Sequence, residues 1–144
     1  MNSIQILPAD WKTQHTILSE IRRTVFIEEQ QVPEELEWDE LDPSCLHVLA
    51  LDSHSDIPVG TGRLSTDGKI GRMAVIKQYR RRGIGCEILK KLIELAIANG
   101  SQQVYLHAQL QALPFYQTFE FVIEGKTFME AGISHVKLVK RCAI

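Results

Sequence analysis

Apolar and polar positions along this chain alternate between two periods. Ser3 to Leu7 has the two-residue period of a strand, and Pro8-Ala9-Asp10 then supplies a helix start with Asp10 as N-cap. Trp11, Leu18, Ile21 and Val25 recur at helical spacing, which predicts a helix running to about Phe26. Pro33 ends whatever continues from it, and residues 34–42 read as a short helix or a loop. Leu46 to Leu51 and Pro58 to Ser65 read as a hairpin around a turn-rich connection, and Lys69 to Ile76 adds a third strand after the Asp67-Gly68 turn. The period then changes. Ile84, Ile88, Leu92 and Leu95 line one face of a helix, with Leu89 and Ala96 beside them and Asn99-Gly100 closing it. On its wet side Glu87 with Lys91, and Lys90 with Glu94, stand four residues apart. Gln103 to Gln109 reads as a strand and Leu110 to Thr118 as a short helix. Residues 121–124, 127–130 and 135–140 read as strands, with Gly125 and Gly132 at turns.

This order predicts an α/β (α+β) fold: a mixed, mostly antiparallel central sheet flanked by helices, with one strand-helix-strand crossover. At 144 residues, 1–144 is expected to form one domain with one continuous core. A content of 44% hydrophobic and 24% charged residues excludes a collagen, a disordered tail and a disulfide-stapled miniprotein. No apolar run approaches the ~20 residues of a membrane helix, and the first residues lack a signal-peptide pattern, so a soluble, cytoplasmic protein is expected. Cys45, Cys86 and Cys142 lie in unrelated contexts without C-x-x-C spacing, the pattern of reduced thiols rather than of a disulfide framework or metal site.

The formal net charge of -2 conceals two poles. From Glu28 to Asp42 there are eight acids and no base, whereas Lys77 to Lys91 holds six bases against one acid. The acidic balance argues against a general nucleic-acid binder, which needs a broad excess of Lys and Arg; a compact anion suits a single basic loop better.

That loop joins a strand to the most strongly periodic helix: Met73-Ala74-Val75, then Arg80-Arg81-Arg82-Gly83-Ile84-Gly85-Cys86. Free amides and the positive dipole end at a helix N-terminus form an anion site, glycines let the backbone approach the anion, and arginines add forked donors. The dinucleotide fingerprint is excluded because Ile88 stands where its third glycine belongs, and no Gly-Lys-Ser/Thr follows for a P-loop.

At these residues the chain resembles the GNAT superfamily of acetyl-CoA-dependent N-acetyltransferases. The signature Gln/Arg-x-x-Gly-x-Gly/Ala is met by Arg80-x-x-Gly83-x-Gly85 after the strand Met73-Ala74-Val75. A second block, Gln109-x-x-Ala112-x-x-x-Tyr116-x-x-x-Glu120-Phe121, is similar to the family's Asn-x-x-Ala-x-x-x-Tyr-x-x-x-Gly-Phe, with Gln109 for asparagine and Glu120 for a turn glycine. The block from Arg23 to Pro33, followed by Glu37, Asp39, Asp42 and His47, resembles the YjcF/ElaA-like branch, as do Leu106 to Gln109 and Gly132 to Val136.

The resemblance implies a GNAT-like fold and acetyl-CoA as cofactor. Main-chain groups of the strand Met73-Ala74-Val75 would pair with the pantetheine arm. Amides and side chains from Arg80, Arg81, Arg82, Gly83, Ile84, Gly85 and Cys86 would hold the pyrophosphate, and Gln109 would contact the pantetheine arm. Tyr116 stands in the family position for protonating the leaving thiolate, and His135, after Gly132-Ile133, in that of a general base. An alkylammonium must lose a proton before it attacks, and the developing oxyanion calls for a fixed donor such as the Val75 amide. Glu29, Asp39 and Asp42 are expected to rim the acceptor pocket and attract a cationic amine.

The expected activity is acetyl transfer to a primary amine of a small-molecule acceptor in a ternary complex. No nucleic-acid or membrane partner is expected; a homodimer through a C-terminal edge strand is compatible with the pattern. A non-catalytic acyl-CoA-binding regulatory module would keep the same cradle without turnover.

Overall fold

Two antiparallel sheets touch at one corner and part from there. The computed structural model describes residues 3–142. The first sheet has the order β1 (Ile4–Ala9), β2 (Leu46–Asp52), β3 (Ile57–Leu64), β4 (Ile70–Val75); the second has β5 (Gln103–Gln109), β7 (Ile133–Arg141), β6 (Val122–Glu130). Their junction is a parallel bridge between Lys69 and Tyr105, where the Tyr105 amide donates to the Gly68 carbonyl at 3.0 Å. Gly68 is required there, since it has φ +91° and an added Cβ would lie 2.9 Å from the Gln103 carbonyl oxygen. Beyond this corner β5 has no further pairing toward β4, while its other edge pairs with β7 along its whole length, so the facing edges of β4 and β5 are open among the described residues.

Helices cover the first sheet on both faces. Helix α3 (Ile84–Ala98) buries Ile84, Ile88, Leu89, Leu92 and Ala96 against Val48, Ala50 and Val59. It sits close because β3 presents Gly60 and Gly62 beneath it; a Cβ at Gly62 would fall 2.8 Å from Leu92 Cδ1 and 2.9 Å from Ile88 Cγ2. On the other face α1 (Trp11–Arg22) lays Leu18 and Ile21, with Val25 beyond it, on Leu49 and Ala74. Asp10 caps α1 as expected, accepting from the Lys12 amide. The remaining helices are short, α2 (Glu34–Glu37) and α4 (Leu113–Gln117).

Three local expectations are corrected. The first helix does not run on as α to Phe26 but widens after Arg22 into a π-helical stretch, Arg23–Glu29, with Gln30 N donating five residues back to Val25 O at 3.0 Å. Gly125 is not at a turn: it lies inside the continuous strand β6 where the register to β7 shifts between Glu124 and Phe128. The α3 surface pairs form at three residues, Lys90 with Glu87 at 3.3 Å and Lys91 with Glu94 at 3.8 Å, rather than at four. Glu120, in the place of a turn glycine, does adopt the left-handed conformation a glycine would favour, with φ +68°.

The acidic segment 34–42 is tied to the sheet by a buried ion network. Arg22, 1% exposed, donates from Nε to Glu37 Oε2 and from Nη1 to Asp42 Oδ1, both at 2.8 Å. Arg63 on β3 donates to Asp42 at 2.8 Å and to both oxygens of Asp39 at 2.9 and 2.7 Å. Arg72 on β4 completes the set, with contacts of 3.2 Å to Glu37 and to Asp39. Trp11 and Trp38 hold the Arg22 guanidinium between their rings at 5.8 and 5.1 Å. His47 Nε2 lies 2.9 Å from the Asp42 carbonyl, which only accepts, so that nitrogen carries the proton; burial lowers the pKa of this ring and keeps it neutral.

Two expected outcomes follow from this network. Arg22→Met leaves buried Glu37 with Arg72 alone and buried Asp42 with Arg63 alone, and should lower unfolding free energy by about 1–3 kcal/mol, read by urea titration; no measurable loss would show that the network is not a structural anchor. The Arg63 guanidinium holds the Asp39 carboxyl down at about 2. Its stabilising effect is therefore full above the unfolded-state value near ~3.9 and fades as pH falls through about 2. Asp39→Asn should flatten the acid limb of stability across that window.

Candidate active site

Three cavities lie end to end along the parting between the sheets. The first is built on the β4–α3 connection and has a volume of about 560 Å³, with Val75, Tyr79, Arg81, Gly83, Gly85 and Phe115 among its walls. The chain turns here through left-handed backbone at Arg81 (φ +64°) and Gly83 (φ +78°) and enters α3 at Ile84 with no side chain capping its first amides. A Cβ on Gly83 would meet nothing within 4 Å, and one on Gly85 would find only Phe115 Cζ at 3.9 Å. Open amides, the dipole of a fifteen-residue helix and clear space above them make a site for a compact anion. Exposed Arg81 has no partner among the described residues, while Arg82 stacks over Tyr79 at 4.7 Å and donates to Gln78 O at 3.3 Å. Arg80 is engaged differently: Nε donates to Val75 O at 2.9 Å, and both terminal nitrogens grip Glu29 at 2.6 Å. That pair lowers the Glu29 pKa.

The middle cavity is the parting itself, about 220 Å³, with Met73, Ala108, Gln109 and Tyr116 on its walls. The Ile76 amide donates across to Val59 O at 2.9 Å, so strand alternation turns the main-chain groups of Val75 the other way, toward β5. A register shift between Thr61 and Arg63 puts Arg72 and Met73 opposite Gly62, with Arg72 at φ +52°. This bulge bends β4 at the point where the strands separate. Tyr116, on α4, packs edge-on against Phe115 and Phe121 at 5.0 and 6.0 Å, and no described residue hydrogen-bonds its hydroxyl. Burial raises its pKa, so the phenol keeps its proton at neutral pH.

The third cavity, about 440 Å³, opens from the second past Gly71, Arg72, Gln109 and His135, which line both. Its walls come from the π-helical turn (Phe26, Gln30), from Leu36 and Leu41, from Lys69, and from the β6–β7 hairpin (Glu130, Ile133). His135 is 6% exposed. Its Nδ1 lies 2.7 Å from the Ile133 carbonyl, which fixes the proton of the neutral ring on that nitrogen and leaves the Nε2 lone pair to accept another. Glu130 reaches between two histidines, 2.9 Å from His107 Nδ1 and 3.8 Å from His135 Nε2.

Most residues singled out in the sequence stand along this channel: Arg80, Arg81, Gly83, Ile84, Gly85, Cys86 and Val75 at the first cavity, Met73 and Tyr116 at the second, Gln109 and His135 between the second and third. Ala74 instead points into the α1 core, and Arg82 lies outside the first cavity's walls. The acids separate. Asp39 lines the third cavity, paired to arginines; Asp42 is buried in the network; Glu29 is at the first cavity's mouth, on Arg80. Sequence reasoning did not single out Tyr79, Phe115, Arg63, Lys69 or Glu130. A basic residue at an interior strand position was the available signal for Arg63, and nothing local marked Glu130.

Comparison with known proteins agrees with this geometry. The profile of the Acetyltransferase (GNAT) domain matches residues 12–142. The uncharacterized Bacillus subtilis protein YyaT is 43% identical over 126 residues, covering 83% of this chain and 84% of its own. YjcF of the same organism, described as an uncharacterized N-acetyltransferase, is 37% identical over 122 residues, covering 83% and 87%. The crystal structure of Escherichia coli ElaA superposes with a TM-score of 0.83 at 26% identity, covering 95% of this chain and 99% of that one. With the splayed strands, the open helix N-terminus and the profile match in agreement, the chain belongs to the GNAT family of N-acetyltransferases, in company with YjcF and ElaA.

Proposed function

We propose that this chain, acting as one cytoplasmic domain, is an acetyl-CoA-dependent N-acetyltransferase that acylates a primary amine of a small molecule directly in a ternary complex. The observation that carries the proposal is the continuity of the three cavities, with an uncapped helix N-terminus at one end and a half-enclosed charged chamber at the other.

The residues present fit coenzyme A. The α3 amides with Arg81 and Arg82 would hold its diphosphate, and the free edge of β4 at Val75 offers a carbonyl to an extended arm. Arg80 now occupies that carbonyl, so its side chain must swing aside or share the oxygen. Once bound, the cofactor supplies an acyl thioester as electrophile. The Val75 amide would donate to the oxygen that gains charge. His135 Nε2 takes the ammonium proton, and the resulting imidazolium faces Glu130. Tyr116, held neutral by its apolar surroundings, would offer a proton to the departing sulfur. As the N–C bond forms and the C–S bond breaks, nitrogen sheds two protons in all: His135 would take the first, the second would restore Tyr116 after it has protonated the sulfur, and His135 would release the one net proton to solvent. The half-buried Cys86 lies at the diphosphate end without a neighbouring base, which supports direct transfer over a covalent acyl-enzyme.

Calorimetric titration with coenzyme A should give saturable heat on folded protein. Gly85→Asp, which sets a carboxylate among the open amides, should weaken that affinity at least tenfold, or about 1.4 kcal/mol; unchanged affinity removes the diphosphate from α3. In a thiol-release assay over an amine panel, His135→Ala and Tyr116→Phe should each lower kcat about 10²-fold or more with coenzyme A affinity retained. The His135→Ala loss should shrink as pH rises and more of the amine is already neutral.

A further inference from the structure

The third chamber holds a charge pattern that the acid-rich segment alone did not suggest. Arg22, Arg63 and Arg72 are matched one for one by Glu37, Asp39 and Asp42 in contacts of 2.7–3.2 Å. This set offers an incoming ligand no net sign. The carboxylates expected to attract an amine are thus already compensated from behind.

Two charges on the chamber wall remain outside the set, and they are opposite. Lys69, half-buried at the junction of the two sheets, has no ion pair or hydrogen bond at its ammonium among the described residues. Asp67, in the same turn, directs its carboxylate to the Ser65 and Tyr105 hydroxyls and to the Lys69 backbone amide, not to that ammonium. Arg72 has a second unused donor nearby: its Nε and Nη2 carry every contact it makes, leaving Nη1 free. The other surplus charge is Glu130, beside His135 at the mouth of the thioester gap. The same chamber has an apolar share of wall, Phe26, Val32, Leu36, Leu41 and Ile133, beside the neutral polar Gln30, Ser65 and Gln109.

A concave site of this size with one unpaired ammonium, a spare guanidinium edge and a separate base is complementary to a zwitterion. We propose that the acetyl acceptor is an aminocarboxylate. Its carboxylate docks on Lys69 and Arg72 Nη1, its apolar body lies against Leu36, Leu41 and Ile133, and its amine faces His135 and Glu130. The inference rests on the acetyltransferase reading above and adds the acceptor class to it. Selection works through the partner's absence as well as its presence, because an acceptor lacking the acid leaves a half-buried ammonium uncompensated when it displaces water.

The test compares matched acceptors in the thiol-release assay: leucine with isoamylamine, phenylalanine with phenethylamine, and γ-aminobutyrate with propylamine. The wild-type protein should favour at least one acid over its amine counterpart by about tenfold or more in kcat/KM, the value of one charge-assisted contact. Lys69→Met should collapse that ratio toward one, chiefly through KM of the acid, and Lys69→Arg should restore most of it. Coenzyme A heats and melting temperature, measured on each variant, establish that it is folded. Amines preferred over acids in the wild type, or a ratio that Lys69→Met leaves intact, overturns the acceptor class and spares the transferase. Coenzyme A binding with no thiol release from any acceptor overturns both, and no coenzyme A binding removes the cofactor site on which both stand.

Discussion

The protein is organised around a hydrogen-bond ladder that stops. β4 and β5 run parallel and are joined by one bridge, between Lys69 just before β4 and Tyr105, after which their facing edges share no further pairing while β5 keeps β7 on its other side. Backbone amides and carbonyls left open inside a protein seek partners, and two facing strand edges a few residues past a junction leave room for an extended chain to enter. Gly68 at the corner and the Arg72–Met73 bulge make the parting structural, since one sets the close approach and the other bends β4. All three cavities take their positions from it.

The surrounding structure keeps that parting in shape. On one face α3 is drawn close by two glycines on β3, which fixes its N-terminus relative to the end of β4. On the other, a π-helical turn and the acidic segment form the roof of the third cavity, and three arginines fasten this roof to the sheet. A buried ion network of this sort adds little net stability over an apolar core but is costly to break. It suits a segment that is held in one place while presenting polar groups to a cavity. The wider hydrogen-bond spacing of the π-helix reorients Phe26 and Gln30 into the channel, a use of irregular helix that recurs at functional sites.

Charge compensation also changes how the acidic pole is understood. Eight acids in fifteen residues look like an attractive field for cations. Folding brings Arg22, Arg63, Arg72 and Arg80 onto four of that segment's carboxylates, so the chamber's sign is set by Lys69 and by Glu130 with its histidines. Distance along the chain hides this, because Arg63 and Asp39 are twenty-four residues apart and Arg80 and Glu29 fifty-one.

The sequence by itself determined what depends on neighbours along the chain. Strand and helix periods, the Asp10 cap, the Asp67-Gly68 turn and the Arg80-to-Cys86 loop are local, and the loop's chemistry follows from the backbone amides of a helix start whatever lies around it. Gln103–Gln109 came out residue for residue, and the order of elements led to the mixed, mostly antiparallel architecture. Tertiary structure alone decided what depends on closure: the corner where the sheets meet, the widening of the first helix, the continuity of β6 through Gly125, and the partner of every charge. Glu130 shows why. Its neighbours in the chain say nothing of His107 or His135, and only antiparallel pairing of β6 and β5 with β7 sets the three side chains around one gap, because register rather than composition determines which residues face each other.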